Sequence, residues 1–254
     1  MDSSDWNRFD YKAIPRFSGY AERGESLFRE FCRIGITNVR EFWNAGNPYD
    51  ALLLRTIPAT RMFHKVPRWL STTLTHLQMA KVGLDLGAEH MLLMEDDVRF
   101  LRDVGTLEEV VRTLPEDFDL AMFDYFPSGK AEKDPSFAPS LAGRQVPGAP
   151  LWSRGGVARF RSAACYALSR KGAKRYVELL EGAARGAWKM RICDQFLGRM
   201  MVEEDLRTYY AYPNAAIQAL FERSNTGPGW IRDTYASLGI DRSLYQSYPG
   251  EVPA

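Results

Sequence analysis

The sequence has few cysteines, few histidines and no excess of either charge. Its three cysteines, Cys32, Cys165 and Cys193, form neither a disulfide framework nor a Cys-x-x-Cys pair, so a reducing compartment is expected. Thirty-three Lys and Arg against 32 Asp and Glu leave a net charge of +1. No global field therefore recruits nucleic acid or membrane, and any such attraction has to come from a local patch. No stretch approaches the roughly 18 uninterrupted apolar residues of a membrane-spanning helix. The first residues, Met1-Asp-Ser-Ser-Asp-Trp-Asn-Arg, lack the apolar segment of a secretory leader. Internal repeats and low-complexity segments are also missing. Together these absences predict a cytoplasmic protein, at most peripheral to the inner face of a membrane.

What is present is globular. Hydrophobic residues make up 45% and charged residues 26% of 254 residues, which suits one domain over 1–254. An irregular arm over about 1–20, carrying at most one short strand, and a surface-wrapping tail over about 220–254 are expected to flank its periodic part. Helical spacing begins near Arg23, through Leu27, Phe28, Phe31 and Cys32, with Gly35 as a stop. A weak strand follows over Thr37–Trp43. A long helix is predicted from Pro67 or Arg68 to Leu86, closed by Gly87. The apolar run Met91-Leu-Leu-Met94 reads as a buried strand. Val98–Phe100 resumes an extended pattern, Val104–Leu114 is helical, and Phe118–Tyr125 is the next strand. Pro127–Gly156, rich in Pro and Gly, reads as a functional loop or lid. Ala163–Leu168 is a strand, Ser169–Leu180 a helix with Ser169 as N-cap, Asp194–Val202 a helix and Leu206–Tyr212 a late strand. Alternating helices and strands predict an α/β fold: a Rossmann-type, mostly parallel sheet flanked by helices.

The sharpest chemical feature is Glu95-Asp96-Asp97 at the end of the apolar strand. Open α/β sheets bind ligands at the carboxyl ends of their strands. Three adjacent carboxylates repel unless a cation sits among them, and Mg²⁺ or Mn²⁺ suits an all-oxygen ligand set. A solvated acidic turn is the bland alternative. A P-loop nucleotidase is excluded, since Gly129-Lys130 lacks both the earlier glycine and the following Ser or Thr. Between Arg154 and Arg175 stand seven cations, Arg161 among them, and no acid. They form either a solvated face or a cradle for an anionic acceptor or a diphosphate. Trp152 beside them either stacks on a sugar ring or packs in the core.

Four segments in order carry a resemblance. Thr73-Leu-Thr-His76-Leu opens it, followed by Ala80–Gly87 and then Met91–Phe100 as M-L-L-M-E-D-D-V-R-F. Ala163-Ala-Cys-Tyr166-Ala-Leu-Ser169-Arg-Lys-Gly172-Ala173-Lys comes next, and Asp194-Gln195-Phe-Leu closes it. This series resembles glycosyltransferase family 25, which includes lipooligosaccharide biosynthesis transferases and collagen galactosyltransferases, over roughly residues 20–215. Arg23 through Ile36 is similar to the family's first helix. The sequence departs from the family where Tyr11–Phe17 contains Pro15, and where all three histidines (His64, His76, His90) precede the acidic motif.

The resemblance implies a GT-A fold, a nucleotide-diphosphate sugar donor (UDP-linked), a divalent Mn²⁺ or Mg²⁺, and inverting transfer of a hexose, galactose first, to a glycan or another hydroxyl acceptor. It implies Asp97 as direct metal ligand with Glu95 next, and Asp96 orienting the ribose or a metal-bound water. Inverting transfer needs a carboxylate to take the acceptor's proton; Asp194 is the first candidate and Asp124 the second, and Asp194 could equally be a helix cap. Arg23, His76 and Arg161 join Asp96 as donor-binding candidates, with a structural histidine as the alternative for His76. Two other functions stay open: sugar transfer to modified phage-type DNA, and a degenerate protein that binds a sugar nucleotide without turnover.

Overall fold

A computed structural model describes residues 5–16, 21–43, 68–101, 104–124, 126–127, 152–154, 160–184, 193–211 and 214–219. In chain order its strands are β1 (Tyr11–Arg16), β2 (Val39–Trp43), β3 (His90–Met94), β4 (Val98–Phe100), β5 (Leu120–Met122), β6 (Phe126–Pro127), β7 (Trp152–Arg154), β8 (Phe160–Arg161), β9 (Cys165–Ser169), β10 (Thr208–Ala211) and β11 (Ala216–Gln218). The helices are α1 (Ala21–Ile34), α2 (Arg68–Asp85), α3 (Val104–Arg112), α4 (Arg170–Ala184) and α5 (Cys193–Met200). A single 3-10 turn over Asp5–Arg8 precedes β1.

Seven strands form the central sheet in the order β2-β1-β3-β9-β5-β10-β7. Five of them, β2, β1, β3, β5 and β10, point the same way. The fold is thus α/β with a mostly parallel sheet and helices on both faces, as the alternating pattern predicts. β9 runs against both of its neighbours, and β7 runs against β10. β9 pairs antiparallel with β3 and β5, so it begins at the end of the sheet where those strands finish.

Side chains alternate across the sheet, and both faces are covered. Met91 and Leu93 of β3, Leu120 and Met122 of β5, and Tyr166 and Leu168 of β9 join one core with Met79 and Ala80 of α2, Tyr176 of α4 and Leu197 of α5. Leu92, Met94, Ala121, Cys165 and Ala167 join the other, with Leu27 and Ile34 of α1, Val110 and Val111 of α3, Trp6 of the opening turn and Phe9 just after it. Two-sided burial explains why β3 reads as a continuous apolar run rather than an alternating one.

Local chemistry fixes the element ends. Gly87 takes φ +80°. Its N–H donates to the Leu84 carbonyl and that of Ala88 to the Gly83 carbonyl, both at 3.0 Å, a Schellman closure of α2 that sets up β3. Ser169 Oγ accepts the Gly172 N–H at 3.1 Å, the N-cap expected for α4. A two-strand ribbon of β4 and β11 brings residues 214–219 against the turn between β3 and β4.

Candidate functional site

The amino end of β9 lies between the carboxyl ends of β3 and β5. Glu95 N–H donates to the Ala164 carbonyl at 2.8 Å, and Phe123 N–H to the Cys165 carbonyl at 3.0 Å. Glu95-Asp96-Asp97 and Asp124 therefore leave the sheet beside one another. Strand parity separates the first two acids. Leu93 faces the α2 and α5 side and Met94 the α1 and α3 side, so the next residues should follow suit.

Asp96 does turn to α1. Arg23 Nη1 donates to Asp96 Oδ1 at 3.0 Å and stands 3.3 Å from Asp97 Oδ2, with all three side chains at most 4% exposed. Burial opposes the guanidinium charge, but Asp97, Asp96 and Glu95 outweigh it and raise the Arg23 pKa. Asp97 also accepts Gln218 Nε2 at 3.0 Å, and its carbonyl accepts the Ala219 N–H at 2.6 Å. Burial pushes the Asp97 carboxyl up to about 8; Arg23 works against this, and Glu95 and Asp96 add to it.

Asp124 is fully buried just beyond β5. Ser162 Oγ donates to its Oδ2 and accepts the Ala164 N–H at 3.2 Å. Burial pushes Asp124 up to about 8; the Ser162 bond opposes the shift, and the charges of Glu95 and Asp97 add to it. Asp97 Oδ1 and Asp124 Oδ1 are both buried without a hydrogen-bond partner among the described residues.

Glu95 turns the other way, as parity requires. Its Oε1 lies 3.6 Å from His76 Nε2 on α2. His76 Nδ1 is 2.7 Å from the Tyr166 hydroxyl, and the two rings stack with centroids 5.7 Å apart. Cys193 Sγ, at the start of α5, completes a group in which one ligand atom each from His76, Glu95 and Cys193 lies within 4.8 Å of the others. Burial pushes the Cys193 thiol up, and Glu95 and Asp194 push the same way. Asp194 follows in the first turn of α5, beside Cys193 and within electrostatic reach of Tyr176.

Of the residues predicted for the site, the structure thus gathers Arg23, His76, Glu95, Asp96, Asp97 and Asp124 around the ends of β3 and β5. Asp194 sits on the Cys193 side of this group. Arg161 closes β8 directly before Ser162; its side chain lies outside the described residues. So do residues 128–151 and 155–156 of the expected lid, residues 157–159, the Trp152 side chain and the tail beyond Ala219. Part of the basic run is elsewhere. Arg170 meets Glu89 at 3.5 Å, Lys171 meets Asp119 at 3.0 Å and Arg175 meets Glu203 at 2.7 Å. These pairs stand where Ser169 pairs with His90, at the far end of β3 from the acids.

Sequence reading missed Gln218, Ser162, Tyr166 and Cys193 as partners of the acids. Gln218 lies just before the expected tail, in a stretch of weak periodicity. Cys193 was legible only as a cysteine outside any Cys-x-x-Cys pair, and Tyr166 only as a member of the Ala163–Leu168 strand. A hard divalent cation takes oxygen ligands, and the two buried carboxylate oxygens of Asp97 and Asp124, without hydrogen-bond partners among the described residues, fit that requirement.

No protein-family model matches the sequence, and no curated protein matches it. Among solved structures, the galactosyltransferase LgtC in complex with donor and acceptor sugar analogues is similar at 13% identity and a TM-score of 0.41, over 94% of this chain and 98% of that one. A197 from STIV is similar at 12% identity and a TM-score of 0.39, over 86% and 91%. The glycosyltransferase GlyE of Streptococcus pneumoniae TIGR4 is similar at 13% identity and a TM-score of 0.36, over 79% of this chain and 44% of GlyE. At these scores the likenesses carry no part of the functional reading, which rests on the residues of the site.

Proposed function

We propose that this chain transfers a hexose, galactose first, from a UDP-linked donor to a glycan or other hydroxyl acceptor, with inversion and with the help of Mn²⁺ or Mg²⁺. One observation carries the reading: two buried carboxylate oxygens, Asp97 Oδ1 and Asp124 Oδ1, without hydrogen-bond partners among the described residues, at the carboxyl ends of two strands that point the same way. Ligands of open α/β sheets bind at that edge. Asp97 and Asp124 are the residues that would hold the cation. When bound, the cation would stabilise the negative charge that gathers on a departing diphosphate.

The chain's own groups do the rest. Arg23 offsets the charge of Asp96 and Asp97 and fixes the turn that presents them. Ser162 holds Asp124 by one oxygen and leaves the other to a ligand. Asp194, on the α5 side, is the proposed acceptor of the proton from the acceptor hydroxyl. Asp124 becomes less suited to that task once it serves as a ligand.

The test is calorimetric binding of a panel of nucleotide sugars with Mn²⁺ and with chelator, paired with a transfer assay. UDP-hexose binding is expected to need the metal and to be lost in a folded Asp97→Asn protein. Binding unaffected by chelation and by Asp97→Asn would sink the reading. A second reading, a sugar-nucleotide binder without turnover, has Arg23 in its favour, because a guanidinium already offsets Asp97. Metal-independent donor binding with no transfer or donor hydrolysis would select it.

A further inference from the structure

We propose that His76 Nε2, the Glu95 carboxylate and Cys193 Sγ form a separate site for a soft divalent ion, Zn²⁺ first, with three protein ligands and an open fourth position. The inference is independent of the glycosyl-transfer reading, because none of its ligands needs Asp97, Asp124 or a sugar nucleotide. It begins from the donor set. Imidazole, thiolate and carboxylate are zinc ligands, whereas Mg²⁺ and Mn²⁺ prefer oxygen throughout.

The geometry is close to what zinc needs. Bonds of roughly 2.0–2.3 Å in a tetrahedron place neighbouring ligand atoms about 3.3–3.8 Å apart. His76 Nε2 and Glu95 Oε1 already stand 3.6 Å apart. The third atom, Cys193 Sγ, lies within 4.8 Å of both, so closure asks for a shift of no more than about 1 Å.

The surroundings point the same way. A zinc-bound imidazole nearly always has its other nitrogen hydrogen-bonded, which fixes tautomer and ring. With its proton on Nδ1, His76 donates to the Tyr166 hydroxyl at 2.7 Å and aims the Nε2 lone pair at Glu95. That Nε2 is fully buried and has no hydrogen-bond partner among the described residues. A buried polar atom left in this state costs about 1–3 kcal/mol, and a metal bond would remove the deficit. His76 is 0% and Cys193 2% exposed, whereas the Glu95 side chain is 17% exposed. The open position therefore faces the Glu95 side, where water or an oxygen of a bound ligand can enter.

The test reads the metal's neighbours directly. Full-length protein in a Cys32→Ser background, which removes the exposed thiol, is loaded with one equivalent of Zn²⁺ and examined by X-ray absorption at the zinc edge. One sulfur at about 2.3 Å with nitrogen or oxygen at about 2.0–2.2 Å is expected. Cys193→Ser should lose the sulfur shell and weaken Zn²⁺ binding at least 10-fold. Asp97→Asn should change neither. A shell of nitrogen and oxygen alone overturns the proposal. Sulfur retained in Cys193→Ser, or lost in Asp97→Asn, overturns it as well. If Cys193→Ser does not fold, by circular dichroism, the spectra of the parent and of Asp97→Asn decide.

Discussion

Replacing Arg23 with Met keeps the length of the side chain and removes the guanidinium that pairs with both Asp96 and Asp97. Breaking a buried ion pair from one side costs about 3–5 kcal/mol, because the remaining charge is stranded. An independent estimate agrees. Stripped of its guanidinium, Asp96 can take up a proton. Forcing a proton at pH 7 onto a carboxyl whose ordinary pKa is about 3.9 costs about 4 kcal/mol, at about 1.4 kcal/mol per unit. At pH 5 the same step costs only about 1.5 kcal/mol. The sign follows from linkage. In the variant, folded Asp96 binds a proton that the unfolded chain has released, so the variant's stability falls as pH rises above about 4. In the wild type the Arg23 guanidinium stays beside Asp96, so the variant's deficit relative to it grows as pH rises.

Urea unfolding at both pH values is the assay. A deficit of about 4 kcal/mol at pH 7, shrinking to about 1.5 kcal/mol at pH 5, is expected, with a fall of about 8–16 °C in melting temperature at pH 7. Adding Asp96→Asn to the variant should recover at least half of the loss. A deficit below about 1 kcal/mol, or one that does not change with pH, would refute the account of Arg23 as a buried counter-ion.

Three further outcomes are expected. Gly172→Ala would put a Cβ 1.8 Å from the Asp119 carbonyl oxygen. Alanine is worth about 1 kcal/mol over glycine in a helix, yet the clash of two backbones should reverse the sign and destabilise by about 1–3 kcal/mol, read as a lower urea midpoint. Asp194→Asn should leave stability unchanged and reduce transfer roughly 10²–10⁴-fold with donor affinity intact; unchanged transfer would remove Asp194 from the mechanism. Glu203 accepts a two-pronged bond from Arg175 at 2.7 and 2.8 Å, which lowers its pKa below the ordinary 4.5. Glu203→Gln should therefore cost about 1 kcal/mol or less near neutrality, and the difference from wild type should vanish as pH falls through the folded-state pKa.

The elements with strong periodicity were legible because burial wrote them into the sequence. α2 with its Gly87 stop, β3 as an uninterrupted apolar run, and Ser169 capping α4 each rest on one local rule. β1 was legible only as at most one short strand in the arm, and Pro15 is the reason it reads weakly. A proline inside a sheet removes a ladder donor. Here it is tolerated because β1 pairs with β3 only from Tyr11 to Ala13, while its pairing with β2 continues to Arg16. At Pro15 the neighbour on one side has already left the sheet. Trp6 and Phe9, in what reads as an irregular arm, are core residues at 1% exposure. Two aromatics three residues apart carry no period long enough to announce this.

The acidic motif was legible as a group but not as three separate residues. Alternation along β3 already determines the split: Leu93 and Glu95 share one face, Met94 and Asp96 the other. What the sequence could not supply is the identity of the opposing side chains, since Arg23, Gln218 and Cys193 come from three distant segments. Once these are in place, the carboxylates no longer compete for one cation. Asp96 is bound to Arg23, Asp97 and Asp124 each keep one oxygen without a hydrogen-bond partner among the described residues, and Glu95 faces an imidazole and a thiol. Adjacent like charges at a strand end are thus held in a small buried volume by sending them to different partners. An account that treats Glu95-Asp96-Asp97 as a single ligand set predicts similar losses of Mn²⁺ binding from Glu95→Gln and Asp97→Asn. The arrangement found here predicts that Asp97→Asn abolishes Mn²⁺-dependent donor binding while Glu95→Gln chiefly impairs Zn²⁺ binding, and calorimetry with each metal in turn separates the two.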